Sequence, residues 1–173
     1  MPNFMKDTIK QSFIKLMNEK PISKITVKDI VVDCKINRNS FYYHYEDLPA
    51  LVMELIIEVS NKIINMYTVF ESIEECLKFL TSYLVKNKKQ MLNIYNSTNR
   101  EVYEKYLWKV CDHVISSYFK SKYDENTPDL DILIHYYKCS CFGLIIDWMN
   151  SSMSYDLCDR YSKLIKIKKN IEI

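Results

Sequence analysis

The sequence predicts an all-α protein: an N-terminal three-helix helix-turn-helix head on a larger helical-bundle body. Three observations carry the prediction. Apolar residues recur at three- and four-residue spacing through successive segments. With one glycine and four prolines in 173 residues, no Gly-rich linker, low-complexity stretch or repeat interrupts them. Between Ile25 and Leu51 a short apolar helix, a tight turn and an aromatic-ended helix follow one another within about twenty residues. The expected division is residues 1–46 as head and 47–173 as body, a length that buries a sizeable core.

The first helix is expected around Phe13 to Met17. Thr26 is a good N-cap, and Val27, Ile30, Val31 and Cys34 at helical spacing predict two turns ending near Lys35. Lys35-Ile36-Asn37 is too short for a structured loop, and Asn37 can cap a helix from Arg38 to about His44. On that helix Phe41 and Tyr45 share a face, which should bury with Ile30 and Ile36 against the first helix. Arg38, Asn39, Tyr42 and Tyr43 then project outward together, flanked by Ser40 and His44. No acidic residue lies between Lys35 and Tyr45. Such a face is suited to a DNA major groove, where Arg pairs with guanine, Asn with adenine edges, and Tyr or His with phosphate oxygens. A solvated aromatic face is the bland alternative, but Tyr42 to Tyr45 leaves too much apolar surface for an idle one.

Asp47 should cap a fourth helix with Pro49 in its first turn, running to about Tyr67 through Leu51, Leu55, Val59, Ile63 and Met66 as a bridge from head to body. Ser72-Ile73-Glu74-Glu75 reads as a capping box, with Ile73, Cys76, Leu77, Leu80 and Leu84 striping a helix that ends near Lys86. A short helix at Lys89 to Tyr95, the polar run Asn96-Ser97-Thr98-Asn99 and a helix from Arg100 to Phe119 follow. The loop Ser121 to Pro128 precedes Asp129 to Asn150, where apolar residues surround most of the helix. Such a helix must be buried on more than one side, against its own body and a second subunit, joined by a last helix from Tyr155 to Ile167.

Residues 8 to 55 resemble the DNA-binding domain of the TetR family of bacterial transcription regulators. The resemblance rests on Thr26 opening the second helix, Val31, Cys34 and Ile36 at the turn, Asn37 as the polar cap, and the run Ser40-Phe41-Tyr42-Tyr43-His44-Tyr45. It implies a DNA-facing set of Thr26, Lys28, Asn37, Arg38, Asn39, Ser40, Tyr42, Tyr43 and His44. Two positions depart from the family pattern. Lys35 stands where the family has glycine, so a non-glycine residue must tolerate or avoid a left-handed backbone. Glu46-Asp47-Leu48-Pro49 lacks the phosphate-binding Lys at the start of the fourth helix. The segments Leu77 to Tyr95 and Tyr136 to Met149, the latter ending Gly143-Leu144-Ile145-Ile146-Asp147-Trp148-Met149, resemble the C-terminal domain of TetR-type regulators of Firmicutes. The combined likeness implies a ligand-responsive repressor, a homodimer through its last two helices on a palindromic operator.

The formal net charge of +2 gives no global basic field, so DNA binding would depend on a local patch present twice. The basic tail Lys163 to Lys169 reads as cations at a helix C-terminus. No apolar run is long enough to span a membrane and no signal-peptide pattern is present, so the chain is expected to be cytoplasmic. The six cysteines form no C-x-x-C pair, which points to buried apolar thiols and no metal or cofactor. Nucleophile elbows, phosphate loops and His-rich patterns are missing, so an enzyme is not expected. Tyr83, Tyr103, Tyr106, Trp108, His113 and His135 are the polar-tipped candidates for contacting a small apolar or aromatic effector, against the plainer reading of core and interface aromatics. The rival class is a protein-interaction module or co-regulator that keeps the fold and binds a protein instead of DNA.

Overall fold

The computed structural model describes residues 2–68 and 70–171, with the side chains of 4–68 and 70–167. Lys168 and Lys169 of the basic tail therefore lie outside the described side chains. Among the described residues the regular secondary structure is all helical, with α1 (Pro2–Glu19), a 3₁₀ turn (Ile22–Lys24), α2 (Val27–Asp33), α3 (Arg38–His44) and α4 (Leu48–Asn65). α5 (Ile73–Lys86), α6 (Lys88–Tyr95), α7 (Arg100–Lys122), α8 (Leu130–Asn150) and α9 (Leu157–Ile171) follow. The fold is all-α, and no helix of the described residues is long and apolar enough to cross a membrane.

Local chemistry explains the short helices. α2 is too short to form on propensity alone, and a reciprocal capping box holds its start. The Thr26 hydroxyl accepts from the Asp29 N–H at 3.2 Å, while the Asp29 carboxylate accepts from the Thr26 N–H at 2.8 Å. Hydrogen bonds from Lys20 and Thr26 hold the Asp29 pKa at about 2. Because that value lies below the unfolded-chain value, the stabilisation is present above about pH 4 and is lost as pH falls through about 2. Thr26→Ala is expected to cost about 1 kcal/mol in urea unfolding at neutral pH. The cost should shrink below pH 4, and one that ignores pH would remove Asp29 from the cap.

Lys35 takes the left-handed conformation directly, with φ of 55°, closing α2 through Ile36 N–H to Val31 O at 2.9 Å. The turn keeps the family geometry at the expense of a strained lysine. Lys35→Gly is expected to raise stability by roughly 0.5–1 kcal/mol, the strain removed less the added freedom of the unfolded chain. A lower denaturation midpoint would argue against the left-handed turn. Asn37 Oδ1 accepts from Ser40 N–H at 2.8 Å to start α3, and Asp47 Oδ1 accepts from Ala50 N–H at 2.8 Å to start α4. Ser72 caps Glu75 N–H at 3.2 Å, but the Glu75 carboxylate reaches back to Glu71 N–H at 2.9 Å, one residue earlier than a regular box.

The residues group into two compact units. One holds the chain through Val59 together with Asn87–Tyr106, and the other holds Ser60–Lys86 and the chain from Leu107 onward. In the first, Phe13 and Met17 of α1, Ile30 of α2, Phe41 of α3 and Leu51 and Val52 of α4 form the core, with Met91, Ile94 and Tyr95 of α6 also buried. Ion pairs run from α1 to α4: Lys6 to Glu54 at 2.8 Å and Lys10 to Glu58 at 2.6 Å. Burial works against the Lys10 ammonium, yet its hydrogen bonds to Glu58 and Asp7 outweigh that and hold its pKa above the usual lysine range.

In the second unit Cys76, Leu77, Leu80 and Leu84 of α5 are buried, as are Cys111, Val114 and Ile115 of α7 and Cys141, Ile145, Trp148 and Met149 of α8. Burial pushes the Cys76 and Cys141 thiols up to about 12, which fits their role as small apolar groups. Trp148 donates its indole N–H to Tyr155 O at 2.8 Å, pinning the α8–α9 corner where Ser152 and Met153 both carry positive φ.

Candidate nucleic-acid interface

α3 is positioned by its buried side. Phe41 is fully buried and Tyr45 nearly so, their ring centroids 5.8 Å apart. These anchors turn Arg38, Asn39, Tyr42 and Tyr43 outward, and all four are exposed. Arg38 and Asn39 have no hydrogen-bond or ion-pair partner among the described residues. Tyr42 stands edge-on to Phe41 at 5.5 Å and Tyr43 edge-on to His44 at 5.0 Å, so each phenol is held by its ring while its hydroxyl faces solvent. Ser40 and His44 are half-buried at the edges of this face.

The capping residues divide their atoms between structure and surface. Thr26, exposed at the start of α2, gives its hydroxyl hydrogen to Asp29 at 2.8 Å. Asn37 uses Oδ1 for Ser40, accepting from both its N–H and its hydroxyl, which leaves the amide Nδ2 as the donor facing out. Lys28 is exposed beside Thr26.

Charge is arranged in the same sense. The acids of α2 are occupied: Asp29 by Lys20 at 3.0 Å and Asp33 by Lys15 at 2.5 Å. Arg38, Lys28 and the uncapped amides therefore meet the solvent without a competing carboxylate on α3. The surface is a compact array of donors backed by a rigid core, the chemistry that pairs with base edges and phosphates in a major groove.

The six effector candidates fall in two places. Tyr103, buried and edge-on to Tyr95 at 5.6 Å, and Tyr106 belong to the first unit. Tyr83, Trp108, His113 and His135 belong to the second. There His113 packs edge-on to Tyr67 at 5.6 Å, Trp108 packs edge-on to Phe142 at 5.2 Å, and Lys138 sits over the Trp108 ring at 4.7 Å. His135 is exposed on α8, 3.5 Å from Cys139. None of the six lines the groove of about 400 Å³ between α8 and α9, which is bordered by Tyr136, Tyr137, Gly143, Leu144, Tyr161 and Leu164. Sequence reasoning passed over that groove because Tyr136, Tyr137 and Leu144 read simply as one more part of an apolar helix.

A helical chain with this head belongs to the class of helix-turn-helix transcription regulators, and comparison with known proteins agrees. The family described as a transcriptional regulator C-terminal region of TetR type matches residues 71–168, more than half of the chain. The chain belongs to the TetR family of transcriptional regulators. Among solved structures it is similar to the dihydroxyacetone kinase operon activator DhaS, with a TM-score of 0.71 and 18% identity over 94% of this chain and 93% of that one. It is also similar to the fatty acid degradation regulator FadR from Bacillus halodurans, with a TM-score of 0.59 and 13% identity over 89% of this chain and 88% of that one. The transcriptional regulator FadR from Bacillus subtilis in complex with stearoyl-CoA gives 0.58 and 13% over 92% and 95%. At these identities the likeness is one of fold. No curated protein matches the sequence.

Proposed function

We propose that the chain is a sequence-specific DNA-binding transcription regulator, a homodimer that places α3 of each protomer in a major groove of a palindromic operator. The observation that carries this reading is the outward face of α3, where Arg38, Asn39, Tyr42 and Tyr43 stand exposed with no acid among them. Thr26, Lys28, Asn37, Ser40 and His44 border it and complete the DNA-facing set. Two-fold symmetry sets the half-sites about one duplex turn apart. Control is by an apolar or aromatic effector held among the helices of residues 47–173, its candidate contacts being Tyr83, Trp108, His113 and His135 of the second unit or, as a separate place, Tyr103 and Tyr106 of the first. The effector biases an existing equilibrium between DNA-competent and incompetent forms, and repression is the direction that equilibrium implies when the free protein is the competent one. The FadR structure that holds stearoyl-CoA supports an apolar ligand class for such a body.

Dimerisation is supported by the surface of α8 and α9. Ile132, Leu133 and Tyr136 on α8 and Leu164 and Ile167 on α9 are exposed apolar side chains. Gly143, the one glycine of the chain, lies exposed on α8, and a Cβ there would meet nothing within 4 Å. A mid-helix glycine costs about 1 kcal/mol relative to alanine, and no contact among the described residues calls for it. Close approach of a second helix does.

The test is selection of random duplex DNA by the purified protein beside the Arg38→Ala/Tyr42→Ala double variant. An enriched palindrome that the variant loses is the expected result, and no enrichment at low salt would favour the protein-interaction module instead. Arg38→Ala alone should cost about 1–3 kcal/mol at one base position, while Tyr42→Phe weakens all sequences more evenly.

A further inference from the structure

Helix α6 groups with the helix-turn-helix unit, and one of its side chains makes three hydrogen bonds to that unit. Asn93 donates through Nδ2 to Met17 O at 3.0 Å and to Lys20 O at 3.1 Å, and its Oδ1 accepts from Ile22 N–H at 3.0 Å. Those three backbone groups are the orphans of the elbow between α1 and α2: carbonyls at the end of one helix and the first N–H of the 3₁₀ turn. Asparagine is a poor residue for a helix interior, and here both amide N–H donors and the amide oxygen are directed away from its own helix. Lys89 of the same helix donates to Asn18 O, and Gln90 donates to Asn18 Oδ1 at 3.1 Å. Six residues beyond Asn93, the buried Asn99 donates to Pro49 O at 3.1 Å, in the first turn of α4. Both ends of the helix-turn-helix are therefore held by amides from Asn87–Tyr106, a segment whose two neighbours in the chain, ending at Lys86 and beginning at Leu107, belong to the second unit.

We infer that Asn93 is a positioning residue for DNA recognition: it fixes the α1–α2 elbow to α6 and so sets the presentation of α3. It touches no base. Breaking its three bonds leaves the α3 face chemically intact and lets the head sample orientations that α6 now excludes. The role rests on the DNA-binding reading and goes beyond it, because it assigns spacing, not sequence, to this residue.

The experiment compares wild type, Asn93→Ala and Asn93→Asp on palindromes of one half-site sequence with the spacer lengthened and shortened by single base pairs. Asn93→Asp keeps the acceptor for Ile22 but sets a carboxylate against the carbonyls of Met17 and Lys20, so it should act more strongly than Asn93→Ala. If Asn93→Ala does not retain wild-type helical content, Asn93→Gln, which keeps both amide donors and the acceptor but moves them one methylene further out, carries the comparison. The expected result is that preference for the best spacer falls about ten-fold as the competent orientation becomes a minority, while base preference within the half-site is unchanged. Amide exchange at Ile22 should quicken in parallel. Unchanged spacer preference with wild type binding normally would overturn the role of Asn93 and leave the DNA reading standing. Equal loss of spacer and base preference would reduce Asn93 to a fold-stabilising residue. A wild type that selects no duplex would defeat both readings at once.

Discussion

Phe41→Ala is expected to lower the stability of the helix-turn-helix unit by about 3–5 kcal/mol, the range for emptying a buried phenylalanine site. Phe41 is 0% exposed, and Phe13 and Ile30, the α1 and α2 members of the same core, are equally buried, so the hole has little scope to collapse. Set against the roughly 5–15 kcal/mol that holds a typical domain folded, the loss leaves α1 to α3 marginal. Urea unfolding followed by circular dichroism measures it, and a cost below 1 kcal/mol would mean that Phe41 is not the anchor of α3. The informative control is two residues away. Tyr43 is 82% exposed, so Tyr43→Ala should leave stability within about 0.5 kcal/mol. Its effect should appear instead in binding to duplex DNA, separating an aromatic that builds the helix from one that the helix displays.

That contrast also shows what could be read from residues alone. The split between Phe41 with Tyr45 and Arg38 with Asn39, Tyr42 and Tyr43 follows from helical spacing, and the structure places each where spacing puts it. The caps at Thr26, Asn37 and Asp47 were equally legible, because an N-cap is a local event whose donor lies three residues away. The partner of Thr26 was less so: Asp29 completes the box where a Glu or Gln is the usual signal. Lys35 posed an alternative, tolerance or avoidance of positive φ, that only backbone geometry resolves, and it tolerates it.

The placement of α6 was not legible. Asn93 and Asn99 carry no periodic signal, and Asn96 to Asn99 reads as a polar connection. Their partners are backbone groups dozens of positions earlier, which offer a sequence pattern nothing to match. The effector candidates suffer the same limit, since aromatics at helical spacing look alike whether they fill a core, as Tyr103 does, or face solvent, as Tyr136 does. Helix lengths show a milder form of it. α7 runs to Lys122 and not Phe119, and α9 to Ile171 and not Ile167, because final turns are set by capping and packing more than by the last apolar residue.

The exposed face of α8 leads to the other large expected effect. Ile132 is 63% and Tyr136 53% exposed, one helical turn apart, so the double substitution Ile132→Glu/Tyr136→Glu spares every buried side chain of the protomer and gives up only the edge-on packing of Tyr136 on Tyr137. If α8 meets its own copy, the substitution sets four carboxylates into an apolar contact, where desolvation and like-charge repulsion oppose association. Analytical ultracentrifugation should then give the protomer mass with unchanged helical content. A dimer on two half-sites gains its second contact intramolecularly, an advantage of about 10²–10⁴ in apparent affinity. The variant should forfeit that factor on the palindrome and bind a single half-site as weakly as wild type does. A dimer that survives both carboxylates would move the interface away from α8. A monomer that kept full affinity would break the link between symmetry and operator on which the palindrome rests.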